Sequence, residues 1–227
     1  MIAIVVPAHN EEVHIAACLQ SILVAAACPA LAGEAVQPVV VLDDCSDATG
    51  SIAKSFGVRC LKSRARNVGI ARAAGAQAAL ASGARWLAFT DADSEVAPDW
   101  IAAQLRQRTD AVCGTVQVRD WGCHGEDVRR HFQSFYRDCD GHRHIHGANM
   151  GLTASAYHAA GGFQPLVTGE DVALVQRLQA CGLSIAWTAG ARVTTSPRRH
   201  FRAPEGFGST LLTLGGLAFA ASTPAQA

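Results

Sequence analysis

Residues Trp86-Leu87-Ala88-Phe89-Thr90-Asp91-Ala92-Asp93-Ser94 bring four consecutive apolar side chains up against two carboxylates spaced one residue apart. A run without polar alternation suits a strand buried on both faces, as in the parallel sheets of α/β proteins. In such sheets ligands bind where the strands end, so Asp91 and Asp93 are expected at a binding crevice. Hard oxygen donors of this kind suit Mg²⁺ or Mn²⁺ shared with substrate phosphates. Read by itself, the same Asp91 also serves as an ordinary turn or cap residue.

The remainder of the chain repeats the pattern. Residues 2–6 form an apolar run broken by Pro7, after which Asn10 is placed to cap a helix with Glu11 and Glu12 in its first turn. Residues 28–38 read as a loop, and residues 39–42 as a second buried strand ending in Asp43 and Asp44. A short helix over 48–56, a short strand over 58–61 and an Ala-rich helix from Asn67 to about 81 follow. Pro98 opens another helix, with Trp100, Ile101 and Leu105 on one face. Strands alternating with helices at this rhythm predict an α/β fold with a mostly parallel central sheet. No Gly-x-Gly-x-x-Gly follows the first strand, which argues against a dinucleotide-dependent oxidoreductase.

The second half is less regular. A strand is expected over 111–118, a polar helix over 127–138, a further helix after residues 149–152, and another from Asp171 through Leu174 and Leu178. Between them, His142, His144 and His146 alternate and would share one face of a strand; a zinc site there has no cysteine or acid at ligand spacing beside it. With no internal repeat and no low-complexity linker, residues 1–227 read as one domain, 1–110 and 111–227 forming its two halves.

Nineteen Lys and Arg balance nineteen Asp and Glu, leaving no field to draw in nucleic acid. The eight cysteines are scattered without a Cys-x-x-Cys pair, as expected of thiols in a reducing cytoplasm. The first apolar run has no basic flank and is too short for a signal peptide. Residues 211–221 are apolar but fall short of the roughly 20 needed to span a bilayer, so 207–221 is expected to pack on the body, a peripheral membrane surface or a second copy.

Five segments in order, Val6-Pro7-Ala8-His9-Asn10-Glu11-Glu12, Asp43-Asp44-Cys45-Ser46-Asp47, Asp91-Ala92-Asp93, Gly161-Gly162-Phe163 and Glu170-Asp171, resemble the family 2 glycosyltransferases of GT-A fold over roughly residues 2–180. The stretch His144 to Asn149 is similar to a His-x-His-Gly-Ala-Asn element in small bacterial members. The resemblance implies transfer of one sugar from a nucleoside diphosphate sugar, UDP- or GDP-linked, to an acceptor hydroxyl. Pro7, His9 and Glu11 would line the nucleoside pocket, Asp44 would accept the base N–H, and Asn67 and Arg72 would make further nucleotide contacts. Asp93 would hold Mn²⁺ or Mg²⁺, with Asp91 nearer the ribose or metal-bound water and His200 a candidate third ligand. Arg198 and Arg199 would clamp the diphosphate. Asp171 matches the catalytic base of an inverting transfer, with His146, Asn149 and Glu170 on the acceptor and diphosphate side.

His9 stands where the family often has an aromatic, and the Gln-x-x-Arg-Trp element of processive synthases is absent, which favours a single transfer. The resemblance admits retention of configuration as well as inversion. Two other readings compete. A nucleotidyltransferase that makes nucleotide sugars would begin with a Gly-rich basic loop, which Pro7-Ala8-His9-Asn10 is not. A non-catalytic nucleotide-sugar-binding module would have no use for Asp44, Asp93 and Asp171 together.

Overall fold

A computed structural model describes residues 1–119, 121 and 125–196; Arg198, Arg199, His200 and the apolar segment 207–221 lie outside the described residues. The elements are β1 (Ile2–Ala8), α1 (Ile15–Ala26), a 3₁₀ turn (Pro29–Leu31), β2 (Val36–Asp43), α2 (Thr49–Ser55), β3 (Arg59–Ser63), α3 (Val68–Ala81), β4 (Trp86–Phe89), β5 (Ser94–Val96), α4 (Trp100–Arg106), β6 (Ala111–Gln117), α5 (Gly125–Phe135), β7 (Met150–Thr153), α6 (Ala154–Ala159), α7 (Glu170–Ala180) and β8 (Ile185–Thr195).

The described strands form one sheet in the order β3-β2-β1-β4-β7-β6-β8-β5. Strands β3, β2, β1 and β4 run parallel, as the unbroken apolar runs 2–6, 39–42 and 86–89 of β1, β2 and β4 predict. Beyond β4 the sheet becomes mixed, because β7 pairs antiparallel with both β4 and β6 while β8 runs parallel to β6. Alternate residues of β1 supply opposite faces. Ile2, Ile4 and Val6 pack with Ile15, Leu19 and Ile22 of α1, whereas Ala3 and Val5 pack toward Ala76 and Ala79 of α3 and Leu174 and Leu178 of α7. The parallel strands β1, β2 and β4 therefore point their carboxyl ends at a common edge, where the acidic segments lie.

Several local expectations are corrected. Asn10 does not cap α1, which starts at Ile15 with neither Glu11 nor Glu12 in its first turn. Instead Asn10 adopts a positive φ of 52° and its Oδ1 accepts from Ser46 N at 2.8 Å, stitching the loop after β1 to the loop after β2. Pro7 is no break: it lies within β1. The histidine run is not a strand, yet its rings still stack, with His142 and His144 5.4 Å apart and His144 and His146 5.9 Å apart. Strands β5 and β8 escape a reading by periodicity, since β5 has only three residues and β8 only intermittent burial. Asn67 does cap α3, accepting from Ile70 N at 3.0 Å.

Among the described residues no helix is long and apolar enough to cross a membrane. The seven described cysteines are all free thiols.

Candidate active site

A cavity of about 1080 Å³ opens at the carboxyl edge of the parallel strands. It exceeds the roughly 300–1,000 Å³ typical of a site for one small ligand, which leaves room for two substrates. Its wall includes Pro7, His9 and Glu11 after β1, Asp43 at the end of β2, Asn67 and Arg72 of α3, Asp91 and Asp93 after β4, His144 and His146, and Glu170 and Asp171 of α7.

The part of this wall that follows β1, β2 and β4 is held by charge. Asp43 is buried, and its oxygens accept from Ala65 N at 2.8 Å and Asn67 N at 2.9 Å. Burial alone would raise this carboxyl, but the Ser63 hydroxyl and the N–H groups of Asn67, Arg66 and Ala65 outweigh it and hold the pKa below the usual carboxylate range. His9 Nδ1 donates to the Asp43 carbonyl at 2.6 Å, fixing the imidazole against β2. Asp44 is exposed and does not line the cavity; its carboxylate lies 3.7 Å from Arg66, which does.

Arg72 is 3% exposed and bridges two carboxylates, donating from Nη2 to Asp91 at 2.5 Å and from Nη1 to Glu170. Both terminal nitrogens of the guanidinium thus bond to protein, and Arg72 also lines the cavity in which its nucleotide contact is expected. A β-carbon on Gly147 would fall 2.4 to 2.6 Å from that guanidinium, so any larger residue there would have to displace it from its ion pairs. The same Gly147 donates its N–H to Asp171 Oδ2 at 2.7 Å. Asp171 follows Gly169, whose φ of 72° turns the chain into α7. One residue without a side chain thus touches both the ion-paired guanidinium and the Asp171 carboxylate.

Asn149 is corrected from a substrate contact to a structural residue. It is fully buried, accepts from Trp100 Nε1 at 2.8 Å and donates to Thr115 O and Ala191 O at 2.7 and 2.8 Å, tying α4 to β6 and β8. Glu170 lines the cavity but is committed to Arg72. His146 sits on the wall with Nε2 3.0 Å from the Tyr136 hydroxyl, which itself accepts from Val116 N at 2.7 Å. Burial, with small contributions from His144 and His142, pushes the His146 pKa down to about 3, so its imidazole is neutral.

Sequence reasoning missed the ring side chains Phe132, Phe135 and Tyr136, which line the same cavity. Their spacing of three and four residues on an otherwise polar helix is the signal that marks them. Gly147 was missed as well, because nothing local distinguishes a glycine that admits a guanidinium from one in a turn.

A mixed sheet of this order, with its parallel half ending in Asp43 and Asp91-Ala92-Asp93, defines a GT-A fold. The chain matches the family described as glycosyl transferase family 2 over residues 3–167 and belongs to it, which makes it a glycosyltransferase. Among solved structures, S. aureus TarS 1–349 in complex with UDP is 15% identical, with a TM-score of 0.64 covering 100% of this chain and 67% of that one. The mannosyltransferase PcManGT from Pyrobaculum calidifontis, in complex with GDP-Man and Mn²⁺, is 17% identical with a TM-score of 0.63, covering 100% and 76%. Glucosyl-3-phosphoglycerate synthase from Mycobacterium tuberculosis, with Mn²⁺, UDP and glucosyl-3-phosphoglycerate, is 17% identical with a TM-score of 0.59, covering 97% and 77%. At these identities the likeness is one of fold. No curated protein sequence matches the chain.

Proposed function

We propose that the protein transfers one sugar from a nucleoside diphosphate sugar to an acceptor hydroxyl, with inversion and with Asp171 as the base. The observation that supports this reading is that Asp171 lines the same cavity as Asp43, Asp91 and Asp93, its carboxylate held by the Gly147 N–H and by the start of its own helix. In the reaction the acceptor oxygen attacks the anomeric carbon, Asp171 takes the hydroxyl proton, and the bond to the diphosphate breaks on the opposite face. A held carboxylate at that position suits the task because it needs no reorganisation as the proton arrives.

Pro7, His9, Glu11 and Asn67 would line the nucleoside pocket, and Asp44 would accept the base N–H at its rim, beside Arg66. The UDP and GDP-Man bound by TarS and PcManGT support a nucleotide-sugar donor here.

A divalent cation fits the donor set. Asp91 and Asp93 offer carboxylate oxygens on the cavity wall, and no group of three or more His, Cys, Asp or Glu converges among the described residues. Two carboxylates suit Mn²⁺ or Mg²⁺ shared with phosphates rather than caged by protein. Bound there, the cation would neutralise charge on the leaving diphosphate. His200, Arg198 and Arg199, beyond the described residues, remain candidates for the third ligand and the diphosphate clamp. A cytoplasmic location completes the proposal.

The test is a thermal-shift screen of UDP- and GDP-sugars with and without Mn²⁺. At least one sugar nucleotide is expected to raise the melting temperature, more so with Mn²⁺, and Asp93→Ala is expected to abolish the metal-dependent part. No stabilisation by any donor, or an unchanged metal effect in Asp93→Ala, contradicts the reading.

A further inference from the structure

Another part of the cavity wall has a different chemistry. Phe132, Phe135, Tyr136, His144 and His146 all line the cavity. Tyr136 stacks on Phe132 with centroids 4.6 Å apart and an interplanar angle of 18°, and on His144 at 4.1 Å and 7°. Aromatic planes at these separations make a continuous platform that extends from the surface of α5 into the cavity.

The platform continues as an exposed apolar rim. Phe135 is 68% exposed, Val167 58% and Val172 38%, and all three line the cavity. Val172 directly follows Asp171, so the apolar rim borders the proposed base itself. Water-exposed Phe and Val side chains clustered at the mouth of a catalytic cavity are side chains a ligand can cover.

Charge points the same way. Burial lowers the pKa of His144 and, more strongly, of His146, leaving both rings neutral near pH 7. Among the described residues the cations on the cavity wall are Arg66 and Arg72, which precede or belong to α3 and lie against the carboxylates of Asp44, Asp91 and Glu170. Val172 sets this rim next to the Asp171 carboxylate, which an anionic acceptor bound there would face.

We infer that the acceptor subsite takes an uncharged alcohol whose hydroxyl is carried next to an apolar, ring-bearing body, of which an aryl glycoside is the simplest example. The inference rests on the glycosyl-transfer reading above and specifies its second substrate. The ring packs between Phe135 and the Val167 and Val172 rim, which sets the hydroxyl beside Asp171.

The test uses the full chain with its stabilising donor and Mn²⁺. Release of nucleoside diphosphate is measured with methyl, 4-nitrophenyl and 6-phosphorylated glycosides of glucose, galactose, mannose and N-acetylglucosamine. For at least one sugar the 4-nitrophenyl glycoside is expected to show a KM about 10-fold or more below that of the methyl glycoside, as burial of one ring predicts. Phe135→Ala, at an exposed position, is expected to erase that difference while the donor still raises the melting temperature. Equal KM values, a preference for the phosphorylated acceptor, or an aryl preference that survives in Phe135→Ala each overturn the inference. So does turnover of no glycoside while the donor still binds. A protein that binds no donor fails the parent reading instead, and the thermal shift separates the two failures.

Discussion

The two walls of the cavity solve the problem of burying polar groups in opposite ways. On the donor side, ionised groups are kept ionised and paired. Arg72 lies between Asp91 and Glu170, and Asp43 is ringed by N–H donors. On the acceptor side, burial strips charge away, leaving neutral histidines stacked on Tyr136. The difference teaches that one site can offer a polar, phosphate-competent half and an apolar half within a single cavity. The boundary between them is Gly147, whose missing side chain admits Arg72 and whose N–H holds Asp171.

The comparison breaks most severely if the ion-paired wall is cut. Arg72→Leu leaves Glu170, 3% exposed, without its counter-charge. The expected destabilisation is about 3–5 kcal/mol by urea unfolding. A loss below about 1 kcal/mol would mean that the bridge is not what holds α7 against α3.

A milder break comes at the boundary. Gly147→Ala places a methyl group in contact with the guanidinium and is expected to cost about 1–3 kcal/mol. Because the clash is with Arg72, combining it with Arg72→Ala should add little beyond Arg72→Ala alone. Full additivity would assign the cost to some other neighbour.

A pH-dependent break sharpens the neutral wall. His146 has a folded-state pKa of about 3, well below its ordinary 6.5. The unfolded chain therefore binds the proton first. The stability tied to neutral His146 is intact above pH 6.5 and is lost as pH falls from there toward about 3, by at most about 1.4 kcal/mol per pH unit. His146→Phe, which keeps a ring, is expected to flatten the fall in stability between pH 6.5 and 4. A slope as steep as that of the parent protein would show that His146 is not the group being charged.

The parallel half of the fold was legible because three of its four strands contain unbroken apolar runs and two of these lead straight into acids. Residues 39–42 and 86–89 leave few alternatives, and the Asn67 cap is a local signal that the structure honours. The mixed half was not, since β5 and β8 are set by partners distant in sequence rather than by their own periodicity. Within the site, the end of an apolar strand points to Asp91 and Asp93, which line the cavity, whereas Asp171, at the start of α7, is expected there only from the family resemblance. What could not be placed was division of labour. Asn149 looked available and is engaged in three buried hydrogen bonds, while Arg72, on the cavity wall as expected of a ligand contact, also pairs with two carboxylates. Both facts depend on packing between elements that no single segment encodes.

The central claim is that Asp171 works on the acceptor rather than on the donor. It is tested by measuring donor binding and sugar transfer side by side in Asp171→Asn. The account predicts donor affinity within a few-fold of the parent protein and a transfer rate lower by about 10²- to 10⁴-fold. Transfer at the parent rate, or loss of donor binding in proportion to loss of transfer, would contradict it.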